Sequence, residues 1–484
     1  MNSYLDESDL PPQESSSDEE EDGLWKVVDS WSYRGCRAAS HQTQDEVRLV
    51  FSYSFCGGPI FEIDLYIPGL PASVTANEAA EIFSDVGLVA LTWLWMARPA
   101  RKIVAKKTRS SNFDWRNFYR EAFAEWAFVH EAHASEIDVD VDINEKVIEP
   151  ATSEIDPPSY RFLCGLGGGK DGCVARFLTM RQPRVREVHW IYVGDGLREF
   201  SNSKRLKNMT QGDECLVLAF DFKYAKIAAS SGRRKPLGHP WAALVAFASV
   251  CAAEIYGYDG VVVGNERSAN FGNGVFVGQH EVNHQFDKTL AFERRFQKYA
   301  QKRNLLFFSP LSNLWELQIA AIFAKEPSLQ RYWTIFRSCN DSGDVDDWCG
   351  KCVKCAFIFA IFSAFRDDVT DVFNGQDLFH DITMLPVFES LIATQKPFDC
   401  IGTAQETNLA LCLAKGRARQ KKAFVLDQSF FSDKKTQEIH LLSDYDRSHH
   451  ALPPWWQHDP LPRFLMDLRQ LFSRHEGGGT FEES

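Results

Sequence analysis

The sequence lacks a hydrophobic run long enough to cross a membrane. Its most apolar stretches cover residues 86–97, 241–253 and 355–365, and each is well short of the ~20 residues that a spanning helix needs. These stretches are typical of buried helices, so we expect no membrane association. The N-terminus also lacks the basic segment and apolar run of a secretory signal. We therefore expect a cytoplasmic protein.

The chain also lacks a basic domain. Residues 1–22 contain nine acidic residues and no Lys or Arg, so only −4 of the net charge of −13 belongs to the remaining residues. A chain without a basic region is not expected to bind nucleic acid as its main partner. The run ESSSDEEED repels itself and offers little to bury, which predicts a disordered acidic tail over residues 1–23. Protein partners cannot be read from the sequence.

The chain is rich in the residues that form hydrophobic cores. Hydrophobic residues make up 44% of the 484 residues, and 13 of the residues are tryptophan, which indicates a globular chain of two or three domains. We predict a strand over 60–67, a helix over 77–97 capped by Asn77, and a helix over 114–132. The acidic, proline-ended stretch 135–158 is interpreted as a linker.

Beyond Tyr160, short apolar runs alternate with helical patterns. The runs 187–194, 214–222 and 260–266 predict strands, and 241–256 predicts a helix between two of them. Such alternation is typical of an α/β domain with a parallel sheet covered on both faces. The predicted domains are the tail at 1–23, an α+β domain at 24–150, the α/β domain at 151–422 and a peripheral extension at 423–484.

A further short apolar run, YRFLC at residues 160–164, leads straight into a glycine-rich loop, GLGGGKDGC, at residues 165–173. A strand, a glycine-rich turn and a helix start form an anion site, because backbone N–H groups and the helix N-terminus face the ligand. The loop does not match GxxxxGK[ST], but it is close to the SGGxDS loop of ATP pyrophosphatases. We predict that Gly167, Gly168, Gly169 and Lys170 bind ATP phosphates and that Asp171 binds Mg²⁺. The alternative is a tight turn without a ligand.

A polar segment follows the predicted strand at 260–266. Acidic, basic and amide side chains at a strand end suit a catalytic or binding surface, although a polar connecting loop is the competing interpretation. The candidates in this segment are Glu266, Arg267, Asn270, Asn273, His284, Gln285 and Lys288.

Four of the 12 cysteines have metal-ligand spacing. Cys339, Cys349, Cys352 and Cys355 are spaced C-x9-C-x2-C-x2-C, and four thiolates can enclose one tetrahedral Zn²⁺ without leaving an open position. The prediction is a structural zinc site. A redox-active CxxC pair and an unligated buried cluster are the alternatives.

Several motifs then occur in one order along the chain. They are GGGKDG, NERSANFGN, HEVNHQFDKTLAFE, LSNLWELQIAAIFA, FRSCN, WCGKCVKC and KPFDCIG. Together they resemble the UDP-N-acetyl-α-D-muramoyl-L-alanyl-L-glutamate epimerase family over about residues 51–413. The cysteine spacing is also similar to that of 7-cyano-7-deazaguanine synthase, an ATP pyrophosphatase relative.

The resemblance implies an ATP pyrophosphatase-like domain and a reaction. ATP with Mg²⁺ would adenylate the terminal L-glutamate carboxylate of a UDP-muramoyl dipeptide, a base would remove the α-proton, and reprotonation and hydrolysis would release the D-glutamyl product, AMP and diphosphate. Glu266, His284 and Lys288 are then catalytic candidates, with His284 as an acid/base group. The other candidates, namely Arg267, Asn270, Asn273 and Gln285, are assigned to substrate binding.

The chain departs from the expected family pattern at four positions. Gly172 replaces a serine of the loop, Phe271 replaces a glutamate, and Asp287 and Thr289 replace serines. These departures keep two alternatives open: a related ATP pyrophosphatase that adenylates another carboxylate, and a non-catalytic protein that retained the fold and the zinc site.

Overall fold

A computed structural model describes most of the chain between Ser30 and Arg474. The described residues are 30–40, 43, 45–108, 113–145, 158–196, 198–222, 238–339, 346–417, 423–429 and 438–474. The predicted acidic tail and residues 146–157 of the predicted linker lie outside them.

Within the ranges just given, twelve strands form one ten-stranded sheet and a two-stranded ribbon. The strands are β1 (Ser30–Ala38), β2 (Glu46–Phe55), β3 (Ile60–Pro68), β4 (Lys102–Thr108), β5 (Asp140–Glu145), β6 (Tyr160–Gly165), β7 (Val185–Asp195), β8 (Cys215–Asp221), β9 (Gly260–Val262), β10 (Phe276–Val277), β11 (His280–Glu281) and β12 (Leu306–Phe308). The order in the large sheet is β12-β9-β6-β7-β8-β3-β2-β1-β4-β5, and β10 pairs with β11 in the ribbon.

The sheet is mostly parallel, as the alternation of strands and helices predicts. The strands β12, β9, β6, β7 and β8 run parallel to one another. β3 then pairs antiparallel with β8, from Asp64 opposite Asp221 to Tyr66 opposite Ala219. The β3–β2 and β2–β1 pairs are antiparallel, and the β1–β4 and β4–β5 pairs are parallel. The sheet therefore continues across the predicted domain boundary near residue 150.

Fourteen helical segments of the described residues surround the sheet. They are α1 (Ala76–Ile82), α2 (Val86–Ala97), α3 (Trp115–Val129), α4 (Lys170–Met180), α5 (Glu199–Asn202), α6 (Lys204–Met209), α7 (Trp241–Tyr256), α8 (Leu290–Gln301), α9 (Glu316–Lys325), α10 (Val353–Ser363), α11 (Val369–Val372), α12 (Leu385–Leu391), α13 (Ala404–Arg417) and α14 (Leu461–Arg474). Short 3₁₀ turns include Arg267–Asn270 and Phe286–Lys288.

Both faces of the parallel part of the sheet are covered. Along β6, Phe162 and Cys164 enter one core with α4, α9, α10, α13 and α14. Leu163, which lies between them, enters a second core with α1, α2, α3, α7 and α8. Alternate side chains of a strand point to opposite faces, so β6 is buried in the middle of a three-layer α/β structure. The glycine loop begins where β6 ends.

The predicted single helix over 77–97 is wrong, because the chain divides there into α1 and α2, which are bent by 60°. Thr75, not Asn77, caps α1 through a capping box with Glu78. At the break, the fully buried Asp85 accepts hydrogen bonds from Arg303 and Tyr299 at 3.1 and 3.0 Å. A buried ion pair is favourable only when its geometry is close, so the contact between Asp85 and Arg303 fixes the position of the break.

The same helix pair bears on whether a segment of the chain could cross a membrane. Within the described ranges no single helix has both the length and the apolar character for a span, whereas α1 and α2 taken together meet that test by length and composition.

Other predicted elements are confirmed or corrected by the structure. The strand at 60–67 and the helices at 114–132 and 241–256 are present as β3, α3 and α7. Residues 140–145, predicted as linker, instead form β5 on the edge of the sheet, parallel to β4. Within the predicted extension at 423–484, Trp455 stacks on Tyr160 of β6 with a centroid distance of 4.8 Å.

Candidate active site

The glycine loop joins the end of β6 to the first turn of α4. Gly169 is the N-cap of α4 and Gly168 has a left-handed φ of 77°, a conformation that glycine adopts without strain. The Gly168 carbonyl accepts the Arg337 backbone N–H at 2.7 Å and Arg205 Nη1 at 3.2 Å. The loop is therefore held from outside by two arginines, and the N-terminus of α4 has the form of an anion site.

Lys170 is buried and held by two carboxylates. It is 1% exposed, and its Nζ donates to Asp171 Oδ1 at 2.6 Å and to Glu316 Oε2. Burial alone would lower the pKa of Lys170, but the charges of Asp171 and Glu316 outweigh it and raise the pKa above its ordinary value. Burial raises the pKa of Glu316, against the opposing charge of Lys170.

The polar segment after β9 meets the loop directly. A Cβ added to Gly264 would lie 3.0 Å from atoms of Asp171, so the end of β9 packs against the start of α4. Glu266, only 2% exposed, follows two residues later. Its Oε1 accepts Gln285 Nε2 at 2.9 Å, and Gln285 Oε1 accepts Lys396 Nζ at 2.8 Å. The strand ends therefore bring these side chains together, as the parallel sheet predicts.

Glu266 also has an oxygen without a partner. Its Oε2 is buried and forms no hydrogen bond with any described residue. Such a group costs free energy unless it is satisfied, and the charges of Asp171 and Glu266 both act on Glu316. Three neighbouring carboxylates, one with an unsatisfied oxygen, are the hard ligands that Mg²⁺ accepts. The chemistry of these donors suits a divalent cation, although among the described residues only the four cysteine sulfurs lie close enough together to form a ready-made metal site.

Two further lysines contribute positive charge to the same region. Burial would lower the pKa of Lys288, but Cys400, Glu266 and Asp171 raise it well above its ordinary value. Lys354 is 4% exposed and its charge acts on Asp171. A buried region with several ammonium groups beside carboxylates has the electrostatics needed to bind a polyphosphate together with its cation.

The two predicted substrate-binding asparagines have their hydrogen-bonding groups engaged with the protein backbone. Asn273 Nδ2 donates to the carbonyls of Lys396 and Pro397 at 3.0 and 3.1 Å, and its Oδ1 accepts the His284 N–H at 2.7 Å. Asn270 Oδ1 accepts the Leu290 N–H at 2.9 Å. In this structure both side chains fix the loops that carry other site residues.

Arg267 and Phe271 both contact Trp315. The Arg267 guanidinium is 4.6 Å from the Trp315 ring centroid, and Phe271 stacks on the same residue at 5.5 Å. Arg267 also pairs with Asp444 at 3.1 Å. Phe271 is 46% exposed, so the position where the family pattern has a glutamate forms an aromatic surface beside the buried charges.

The departures at Asp287 and Thr289 have a structural explanation. Asp287 Oδ2 accepts the Ala243 N–H in the first turn of α7 at 2.9 Å, and Thr289 Oγ1 accepts the Phe292 N–H of α8 at 3.1 Å. Asp, Thr and Ser are all favourable residues at helix N-termini. These residues therefore still cap the two helices, and the Asp287 carboxylate adds a negative charge that acts on Lys288 and His284.

The four predicted metal-ligating cysteines converge. Their sulfur atoms all lie within 4.8 Å of one another, and the Cys339–Cys352, Cys349–Cys355 and Cys352–Cys355 separations are 3.7, 3.6 and 3.6 Å. A tetrahedron with Zn–S bonds of about 2.3 Å has edges of about 3.8 Å. The cluster can hold a metal, and because Lys354 lies between two of its cysteines, the cluster also positions that lysine.

Sequence reasoning missed several residues that reach the site. They lie on four segments far apart in the chain, and the motifs LSNLWELQ, CVKC and KPFDCIG carried most of them without identifying a role. The missed residues are Glu125, Glu316, Lys354, Lys396, Cys400 and Glu406.

The fold and site define an α/β protein in which a glycine loop and a helix N-terminus face buried lysines and carboxylates. The chain belongs to the MurL family: the model of the MurL N-terminal domain matches residues 26–309 and that of the MurL C-terminal domain matches residues 335–441.

Curated relatives agree with this membership. A UDP-N-acetyl-alpha-D-muramoyl-L-alanyl-L-glutamate epimerase of Xanthomonas oryzae pv. oryzae is 32% identical over 61% of this chain and 67% of its own length. Proteins of the same name from a Micromonospora strain and from Salinispora tropica are 32% and 30% identical. They match 61% and 55% of this chain, which spans 65% and 59% of their respective lengths.

Proposed function

We propose that this chain is an ATP-dependent epimerase that inverts the terminal L-glutamate of UDP-N-acetylmuramoyl-L-alanyl-L-glutamate. The carboxylate would be adenylated, the α-carbon deprotonated and reprotonated on its other face, and the acyl group hydrolysed to give the D-glutamyl product, AMP and diphosphate. The reaction belongs to peptidoglycan precursor synthesis. Relatives whose names specify this epimerisation support the choice of substrate.

One observation carries the proposal. The start of α4, the carboxylates Asp171, Glu266 and Glu316, and the ammonium group of Lys170 are brought together at the carboxyl ends of β6 and β9. Adenylation requires a polyphosphate to be held beside a carboxylate substrate, with negative charge neutralised where the bond to the leaving diphosphate breaks. A non-catalytic descendant would have no need to keep this buried charge.

Each part of the site has a role in the proposal. Gly167, Gly168 and Gly169 present the loop backbone to phosphate oxygens, and Lys170 and Lys288 supply positive charge. Asp171 and Glu266 would hold Mg²⁺, which when bound neutralises the phosphate charge. The Cys₄ cluster would hold a structural Zn²⁺, because four thiolates at these separations leave no open position for chemistry.

A substitution of Asp171 tests the proposal. With ATP and the UDP-muramoyl dipeptide, the wild-type protein should release diphosphate and form D-glutamyl product. Asp171→Asn should lose both, because one of the three clustered carboxylate charges is removed. The matched control is Asp213→Asn, on a carboxylate that pairs with Arg176 and Arg331 instead. Diphosphate release that does not change in Asp171→Asn would contradict the assignment.

A further inference from the structure

A cysteine outside the metal cluster lies next to a histidine and a carboxylate. His284 Nδ1 lies 2.6 Å from Glu125 Oε2, and the ring of Phe398, two residues before Cys400, lies 6.5 Å from the His284 ring. The Cys400 thiol interacts electrostatically with the same imidazole. Glu125 is on α3, His284 precedes a 3₁₀ turn, and Cys400 lies between α12 and α13. A thiol, an imidazole and a carboxylate in this order form an activated thiol.

The arrangement is fixed by the surrounding chain. The Asn273 side chain binds the backbone of His284 on one side and the carbonyls of Lys396 and Pro397 on the other. The segments that carry the imidazole and the thiol are therefore linked through a residue that is 1% exposed. Glu125 is itself 8% exposed, so the carboxylate that orients the imidazole is also enclosed.

The surrounding charges favour the thiolate form. Burial would raise the pKa of Cys400, but Lys288 and His284 outweigh it and lower the pKa to about 7. Burial would lower the pKa of His284, but Cys400 and Glu125 raise it to about 10. The charges of Lys354 and Lys396 also act in this region. Near neutral pH the pair is therefore substantially a thiolate beside an imidazolium.

The thiol also shares its surroundings with the loop site. The ammonium group of Lys288 interacts with Cys400 and with the carboxylates Glu266 and Asp171. Cys400 is partly exposed, unlike the fully enclosed Cys164, Cys173 and Cys251. The thiol therefore belongs to the same charged region as the carboxylates that would hold Mg²⁺, which makes it a candidate to act on a substrate bound beside them.

We propose that the Cys400 thiolate is the group that removes the α-proton during epimerisation, with His284 and Glu125 as positioning residues. The inference rests on the proposed function. In the step, the Cα–H bond breaks, an S–H bond forms on Cys400, and the C–H electron pair moves onto the carbonyl oxygen of the activated acyl group. A proton from a site ammonium group then reaches the opposite face, and Lys288 is the described candidate. Solvent restores both protonation states.

Separate measurement of the two half-reactions tests the proposal. The wild-type protein and Cys400→Ser are incubated with ATP, Mg²⁺ and the UDP-muramoyl dipeptide in D₂O, and diphosphate release and deuterium at the glutamyl α-carbon are measured. Because a positioned acid or base contributes ~10²–10⁴-fold, Cys400→Ser should lose α-exchange by at least about 100-fold more than it loses diphosphate release. The control Cys56→Ser, on an exposed cysteine, should change neither.

Alkylation supplies a readout that does not depend on turnover. The rate of Cys400 carboxymethylation by iodoacetamide should rise with a midpoint near pH 7 in the wild-type protein. In Glu125→Gln the midpoint should move toward the ~8.5 of an ordinary thiol. A Cys400 variant that shows wild-type unfolding but equal losses in both half-reactions would overturn the proposal, as would a midpoint that Glu125→Gln does not move.

Two other outcomes are distinguishable. Accumulation of a glutamyl thioester on Cys400, seen by intact mass, would assign the thiolate as a nucleophile and overturn its role as the base. A wild-type protein that releases no diphosphate with this dipeptide would overturn the proposed function, and the inference with it.

Discussion

Gly172 gives the sharpest structural prediction, because the structure assigns it a steric reason. A Cβ added there would lie 2.6 Å from the backbone oxygen of Gly165. Unstrained C···O contacts begin at about 3.3 Å, so any side chain must move α4 away from β6 by about 0.7 Å. Both contacting groups belong to the backbone, one in the sheet and one in the first turn of a helix, so neither can rotate out of the way.

The expected consequence of Gly172→Ala is a net loss of stability. Overpacking of this kind costs ~1–3 kcal/mol, whereas the higher helix propensity of alanine would contribute up to ~1 kcal/mol in the opposite direction. We expect the free energy of unfolding to fall by about 1–2 kcal/mol. Gly172→Ser should be no better, and the shift of Lys170 and Asp171 should also reduce diphosphate release.

The assay is urea unfolding followed by fluorescence, with Gly167→Ala as the matched control. A Cβ on Gly167 meets no atom within 4 Å, so that variant should stay within about 0.5 kcal/mol of the wild-type protein. A Gly172→Ala protein that is as stable as the wild type, or more stable, would refute the steric argument. The change from serine to Gly172 would then mean only the loss of a hydroxyl group from the loop, as the departure from the family pattern first suggests.

Other predictions follow from buried contacts. Asp287→Ala should cost ~0.5–2 kcal/mol of stability through its cap on α7, and Asp287→Ser should restore most of it. Lys170→Met should lower the free energy of unfolding by ~3–5 kcal/mol, because it leaves buried carboxylates unpaired. Adding Glu316→Gln to this variant should recover part of the loss. Urea unfolding measures the two Asp287 variants, Lys170→Met and the double variant. Purified reduced protein should contain one zinc per chain, and Cys352→Ser should abolish it in a metal assay. Burial raises the pKa of Glu293 to about 8. Between pH about 4.5 and 8 the folded state therefore holds a proton that the unfolded state has released, so the free energy of unfolding falls as the pH rises through this range. Glu293→Gln should make the free energy of unfolding less dependent on pH there.

Local patterns predicted the parts of the fold that depend on short stretches of chain. The apolar runs that became β6, β7 and β8 and the helix α7 could be located because periodicity and end signals lie within each segment. The position of the glycine loop at the end of β6 followed from the same reasoning. The convergence of the four cysteines followed from their spacing, since short intervals limit how far the sulfurs can separate.

Contacts between distant segments could not be predicted in this way. The break between α1 and α2 depends on Asp85 pairing with Arg303, 218 residues later. Lys170 meets Glu316 at a separation of 146 residues, and His284 meets Glu125 at 159. No periodicity or spacing connects such residues. The position of the glycine loop could therefore be predicted from the sequence, but the carboxylate of Glu316 that pairs with Lys170 could not.

The departures from the family pattern also needed the structure. Gly172 is explained by the close approach of α4 to β6, and Asp287 and Thr289 keep helix caps. Phe271 forms an exposed stack on Trp315, and nothing in the structure explains the change from glutamate. The buried charges around Lys170 are intact despite these substitutions, which supports a working enzyme.

The central claim is tested most directly by one assay that combines ATP-dependent diphosphate release with chiral analysis of the glutamate. With UDP-N-acetylmuramoyl-L-alanyl-L-glutamate as the substrate, the account predicts diphosphate release that requires the dipeptide, together with the appearance of D-glutamate. Diphosphate release without inversion would contradict the epimerase assignment and favour adenylation of another carboxylate. Absence of nucleotide binding would contradict the site as a whole.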